Sequence, residues 1–264
     1  MVHLSGQESL VVDGVGLEYQ MVGPVDASCD LVFLHEGLGS ISLWRGFPAR
    51  IADRLARRGV VYSRRGHGSS SPSVGRRPAR YLHHEALEVL PRVMAALVDG
   101  SPILVGHSDG ASIAIIAAGA GIDVAAIVLI APHVFVEPEA VAGIDAVVGR
   151  YRQGDLSDRL ARHHQDADAL FWAWADIWRS PEFADWSIEE YLPSISCPTL
   201  IIQAEDDEYA TIAQPDRIAA GMAVEPELLW LPSGGHSPHL TVTDPVSEAI
   251  VDFVERSSGG GSAA

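Results

Sequence analysis

Three stretches of this 264-residue chain carry the side chains from which a covalent catalyst can be built. The first is Gly106-His107-Ser108-Asp109-Gly110, a G-x-S-x-G pattern. A serine hydroxyl is a poor nucleophile until a base takes its proton. The second stretch, Gly234-Gly235-His236-Ser237-Pro238-His239, offers that base. Two glycines let the chain swing the imidazole of His236 over its surroundings, whereas Pro238 and the segment beyond it turn His239 elsewhere. The third stretch is Glu205-Asp206-Asp207-Glu208. One of its carboxylates must turn inward to hold the imidazole tautomer and stabilise the imidazolium. Like charges this close repel, so the others are expected in solvent, and residue type alone leaves open which one turns in.

Such groups need rigid elements to bring them together. Pro102–Val105 is a short apolar run of the kind that makes a buried strand, and Ala111–Ala118 reads as a buried helix. Strand, sharp turn and helix would place Ser108 in a strained conformation above a helix N-terminus, where backbone N–H groups can hold an anion. Gly106 and Gly110 would let strand and helix approach closely. Upstream, residues 8–13 and 15–22 alternate around Asp13-Gly14, a hairpin signal. Strands are then predicted at 30–35, 60–62, 124–131, 199–204 and 227–231, and helices at 43–57, 81–98, 212–221 and 246–256. This alternation predicts an α/β fold with a mostly parallel sheet, in which ligands bind beyond the carboxyl ends of the strands. The loops at 35–40, 106–110, 205–208 and 234–239 all fall there.

Residues 133–190 break the alternation and read as a helical cap inserted after the sixth strand, dividing the core into 1–132 and 191–256. Aromatic rings crowd into Phe171-Trp172-Ala173-Trp174-Ala175-Asp176-Ile177-Trp178. Trp174 and Trp178 share a helix face. Trp172, Trp178 and the nearby His133 are candidates to line a substrate pocket. The pair His163-His164 is expected at the surface. The tail 257–264 is serine- and glycine-rich and reads as a flexible linker or cloning remnant.

The net charge of −17 disfavours nucleic acid and anionic membranes as partners. All 18 basic residues are arginine, and the densest basic stretch, Arg76-Arg77-Pro78-Ala79-Arg80, reads as a solvated loop. No apolar run reaches the roughly 18–20 residues of a membrane span, and the first residues lack the basic and apolar regions of a secretory signal. Two cysteines without C-x-x-C spacing suggest neither a zinc site nor a redox pair. The expectation is a cytoplasmic enzyme acting on a small molecule, with no metal or organic cofactor.

Taken together, residues 8–256 resemble the α/β-hydrolase family, whose chain order is also serine, acid, histidine. Ala204-Glu205-Asp206-Asp207 resembles the family's Gly-x-x-Asp turn, Gly235-His236 its Gly-His, and His35-Glu36-Gly37 its His-Gly-x oxyanion segment. The resemblance implies an eight-stranded sheet and a Ser108–Asp207–His236 triad. It also implies an oxyanion hole from the backbone N–H groups of Gly37 and Asp109. Glu36 departs from the family's usual glycine, and a carboxylate there must point away or bind a substrate group. The implied reaction is hydrolysis of a small or medium carboxylic ester or lactone through an acyl-enzyme. Carbon–carbon bond hydrolysis of ring-fission products and cofactor-free haloperoxidase chemistry share the same triad, and a slow-turnover ligand receptor is a further alternative. A serine at the elbow argues against epoxide hydrolase and haloalkane dehalogenase activity, which use a carboxylate nucleophile.

Overall fold

The computed structural model describes residues 8–259. The N-terminal signal reading and most of the predicted tail, 260–264, lie outside these residues. Eight strands form one sheet in the order β1-β2-β4-β3-β5-β6-β7-β8. The hairpin of β1 (Glu8–Val12) and β2 (Val15–Val22) is antiparallel, and β2 runs antiparallel to β4 (Arg58–Tyr62). Then β3 (Cys29–Leu34), β5 (Ile103–His107), β6 (Ala126–Ile130), β7 (Thr199–Ala204) and β8 (Glu227–Leu231) continue in parallel with β4. The central strands are buried on both faces, as the near-continuous apolar runs IVLI-type sequences dictate, because helices cover both sides. The eight-stranded, mostly parallel sheet flanked by helices agrees with the sequence expectation.

Two predicted helices are interrupted. The helix expected over 43–57 is a 3₁₀ turn, Ile41–Trp44, followed by a helix, Phe47–Leu55. Arg45 and Gly46 between them take left-handed conformations, φ 49° and 82°, which end the first turn and let Pro48 open the second. The helix over 81–97 contains a π-type turn at Glu85–Val89 just ahead of Pro91. Proline has no N–H to give and its ring crowds the preceding turn, so the wider turn relieves it. The C-terminal helix runs Thr243–Gly259, three residues into the stretch predicted as linker. Among the described residues, no helix is long and apolar enough to cross a membrane.

Between β6 and β7 lie three α-helices, Pro138–Arg152, Asp155–Leu160 and Ala167–Trp178, and a 3₁₀ helix, Glu189–Ser194. The two ends of this excursion meet: Phe135 bridges Ser187, and the Ile188 N–H donates to the Val134 carbonyl at 2.8 Å. His164, expected at the surface, is 6% exposed. Its Nδ1 accepts from the Gly68 N–H at 3.0 Å, and its Nε2–H donates to the Leu38 carbonyl at 2.9 Å. One imidazole thus ties the excursion to two loops at the carboxyl end of the sheet, a pairing that adjacent residue types cannot announce.

Candidate active site

Ser108 sits between β5 and the helix Asp109–Gly119 with φ 52° and ψ −116°. A non-glycine residue held there stores about 1–3 kcal/mol of strain, tolerated because the neighbours over-determine it. The Ser108 N–H donates to the Ile130 carbonyl at 2.9 Å, and its carbonyl accepts from the N–H groups of Ala111 and Ser112. The flanking glycines are there for space. A Cβ on Gly106 would lie 2.3 Å from the Gly110 carbonyl oxygen, and one on Gly110 would lie 1.9 Å from that of Leu34. The first oxygen belongs to the helix backbone and the second to the end of β3, so neither can move without disturbing an element that frames Ser108. Gly110→Ala is therefore expected to destabilise the fold by at least about 2 kcal/mol, read as a lowered midpoint of urea unfolding. An unchanged midpoint would contradict this packing.

His236 arrives on the far loop with its side chain 13% exposed. Its Nε2 lies 2.9 Å from Ser108 Oγ, and its Nδ1 lies 2.9 and 3.0 Å from the two carboxylate oxygens of Asp207. Nδ1 faces a carboxylate and so carries the proton, which leaves Nε2 free to accept from the serine hydroxyl. Burial alone would lower the His236 pKa, but Asp207, with smaller help from Glu208 and Glu36, raises it above 6.5. Asp207 has a side-chain exposure of 0%. Burial would raise its pKa too. It is nevertheless held well below the usual carboxylate range by His236, the Tyr209 N–H at 2.9 Å and the Gln203 side-chain amide at 2.8 Å. The arrangement can pass a proton from Ser108 Oγ to an imidazole whose charged form is stabilised from behind.

The acidic run does more than leave one member inside. Asp206 accepts from the N–H groups of Gly234 and Gly235 at 2.8 and 2.7 Å, and Glu208 accepts from the His236 N–H at 3.1 Å. Both residues expected in solvent thus clamp the histidine loop. Behind Ser108, His107 is buried and its Nε2–H donates to the His236 carbonyl at 2.7 Å. His239, set aside as a base, packs against Trp44 and Phe47 at ring separations of 5.0 and 5.2 Å.

Gly37 and Asp109 both border the cavity above Ser108, which measures about 210 Å³. Asp109 is the first residue of its helix, so its N–H has no partner within that helix. A Cβ on Gly37 would lie 2.5 Å from Trp174 Nε1, so only glycine fits there. Sequence reasoning missed what secures this corner. Arg64, 3% exposed, donates from Nη2 to the Glu36 carbonyl at 2.8 Å and pairs with the Asp109 carboxylate at 3.4 Å. Tyr81 Oη donates to the same carboxylate at 2.9 Å, and Trp178 Nε1–H donates to Tyr81 Oη at 3.1 Å. His35 accepts the Arg64 backbone N–H at Nε2, 3.0 Å, so its Nδ1 holds the proton and donates to the Glu36 carbonyl at 2.7 Å. The residues flanking the two N–H groups are thereby fixed.

Of the candidate pocket residues, Glu36, His133 and Trp178 line this cavity. Trp172 does not. It packs edge-on against Tyr151 and Phe171 at 5.9 and 5.3 Å, with the Arg152 guanidinium 5.5 Å from its ring. Trp174 takes the place assigned to it. Positions four apart on a helix share a face, and position 172 is about 200° round from 174. Among the described residues, no group of three or more His, Cys, Asp or Glu side chains is arranged to hold a metal ion. A larger cavity of about 380 Å³ touches Arg64 and Tyr81 but contains none of Ser108, Asp207 and His236.

A model of the Alpha/beta hydrolase family matches residues 31–249, most of the chain, with Ser108 and His236 inside the matched span. The chain belongs to the alpha/beta hydrolase family. It is 26% identical over 258 residues to "Serine hydrolase BPHL" of Homo sapiens, covering 93% of this chain and 85% of that protein. It is equally 26% identical, over 270 residues, to "Putative carbamate hydrolase RutD" of Variovorax paradoxus, covering 93% of this chain and 98% of that protein. Among solved structures, the enol-lactonase from Burkholderia xenovorans superposes with a TM-score of 0.72 at 20% identity, covering 94% of this chain and all of that one. That likeness establishes the shared fold.

Proposed function

We propose that this alpha/beta hydrolase is a serine hydrolase of small carboxylic esters or lactones, working through an acyl-enzyme. The observation that carries the reading is the unbroken row from Asp207 through His236 to Ser108, with each contact at 2.9–3.0 Å. Ser108 Oγ attacks the acyl carbon as His236 Nε2 takes its proton. The carbonyl oxygen becomes an oxyanion and accepts from the N–H groups of Gly37 and Asp109. Collapse expels the alcohol, which leaves with the proton from His236. A water then gives its proton to His236 and attacks the acyl-enzyme, releasing the carboxylic acid and restoring Ser108. The names of the two relatives, a serine hydrolase and a putative carbamate hydrolase, support a hydrolytic reading. A carbamate carbonyl is open to the same attack, so short p-nitrophenyl carbamates belong beside the esters in an activity panel.

The site cavity of about 210 Å³ falls below the ~300–1,000 Å³ of pockets that hold drug-sized ligands, which favours short acyl groups. The helices between β6 and β7 serve in this reading as a cap, since Trp174 and Trp178 wall the cavity from that side. The direct test is a fluorophosphonate probe. It should add covalently once per chain, at Ser108, as located by peptide mass. A label elsewhere, or none, would remove the serine from its role.

The pH dependence carries its own sign. His236 must be neutral at Nε2 to act as base, and its pKa lies above 6.5. As pH falls through that value the imidazole is protonated and kcat/KM drops. The acid limb of the pH–rate profile is expected to have its midpoint above 6.5. A midpoint in the ordinary carboxylate range would mean that another group is the base.

A further inference from the structure

We infer that Arg64 is a positioning residue for the oxyanion hole: its guanidinium, acting through the Glu36 carbonyl, aims and strengthens the Gly37 N–H on which negative charge develops. The inference rests on the serine-hydrolase reading above. Glu36 and Gly37 share one peptide unit, and the described chain has no cis peptide bond. In a planar trans peptide the carbonyl and the N–H point in opposite directions. Whatever holds the Glu36 oxygen therefore decides where the Gly37 hydrogen points.

Three donors meet on that oxygen: Arg64 Nη2 at 2.8 Å, His35 Nδ1–H at 2.7 Å and the Gly39 N–H at 3.0 Å. A carbonyl oxygen has two lone pairs, so this one is fully engaged, and one of its donors carries a positive charge. Donors on a carbonyl polarise the peptide and make the N–H at its other end a better donor. Among the described residues, the Gly37 N–H bonds to no other group, and Gly37 borders the cavity over Ser108. The same Nη2 lies 3.4 Å from the carboxylate of Asp109, whose backbone N–H is the other donor of the hole. One guanidinium nitrogen thus ties the loop after β3 to the elbow after β5, the two segments that must face a single oxyanion.

Stability does not account for this arginine. It is buried, and its Nε and Nη1 have no hydrogen-bond partner. A buried donor left unpaired destabilises the fold. Buried ion pairs can often be replaced by apolar residues of similar volume without loss of stability. A side chain kept here for packing alone would be apolar. All that Arg64 holds, it holds through the one nitrogen that reaches both sides of the hole.

The test makes Arg64→Met twice, once in the parent and once in Asp109→Asn, where its removal leaves no buried charge unbalanced. In both backgrounds the change is expected to lower kcat on a short p-nitrophenyl ester by about 10–100-fold, with KM held within about twofold. Two ketones supply a readout that a structural role would not move. 1,1,1-Trifluoropentan-2-one adds to a nucleophilic serine as a hemiketal oxyanion, and its inhibition constant should rise in step with the fall in kcat/KM. Pentan-2-one, which stays planar, should inhibit parent and variants alike. An effect of Arg64→Met that vanishes in the Asp109→Asn background would mean that the arginine only neutralises Asp109, and would overturn the inference. Equal losses for both ketones, or a double variant that does not fold, would overturn it too and leave the serine-hydrolase reading intact. Absence of a fluorophosphonate label at Ser108 in the parent would instead remove the reading on which it rests.

Discussion

Replacing Ser108 by alanine is expected to lower kcat on short p-nitrophenyl esters by about 10⁴–10⁶, by analogy with other triads. The hydroxyl oxygen lies 2.9 Å from His236 Nε2, and among the described residues no other serine hydroxyl bonds to that atom. The effect should be confined to chemistry. Ser108 holds its strained φ of 52° through backbone bonds to Ile130, Ala111 and Ser112, none of which uses the side chain. The thermal unfolding temperature of Ser108→Ala should therefore match that of the parent within a degree or two, and residual activity should no longer respond to fluorophosphonate. A variant that turned over esters at the parental rate would show that Ser108 is not the nucleophile.

Asp207→Asn carries the next largest effect, a loss of about 10⁴ in kcat. The Gln203 amide and the Tyr209 N–H both donate to Asp207, and the His236 Nδ1–H makes a third donor. An ionised carboxylate accepts all three, whereas an asparagine must turn its own NH₂ towards one of them. Either the amide repels a donor or the imidazole moves its proton to Nε2, where it can no longer accept from Ser108. The pH profile distinguishes this from a general loss of packing. Asp207 is the strongest of the influences that raise the His236 pKa above 6.5, so the acid limb of whatever activity survives should move to lower pH. Reduced kcat with an unmoved acid limb would mean that Asp207 matters for structure and that another acid holds the imidazole.

Much of this site was legible in the residues. The alternation of apolar strands and amphipathic helices determined a parallel sheet, because a strand buried on both faces has to be apolar throughout. Gly106 and Gly110 marked a close approach that only glycine permits, and the serine, acid and histidine stood in an order that one family shares. These are local properties. A backbone dihedral, a periodicity or a missing Cβ is decided within a few residues and is written directly into the chain.

Partner choice was not local, and only the tertiary structure decided it. Nothing in Glu205-Asp206-Asp207-Glu208 says that Asp206 and Glu208 clamp the histidine loop, since those contacts join residues 28 apart. Nothing in His163-His164 says that one ring is buried between two loops, nor does Arg64 advertise its pairing with Asp109, 45 residues on. Trp174 rather than Trp172 faces the cavity because the rotation of one helix about its axis is set by what it packs against. Hydrogen bonds and ion pairs act over about 3–4 Å, so they depend on where loops pass in space, and that is settled only when the whole sheet has closed around them.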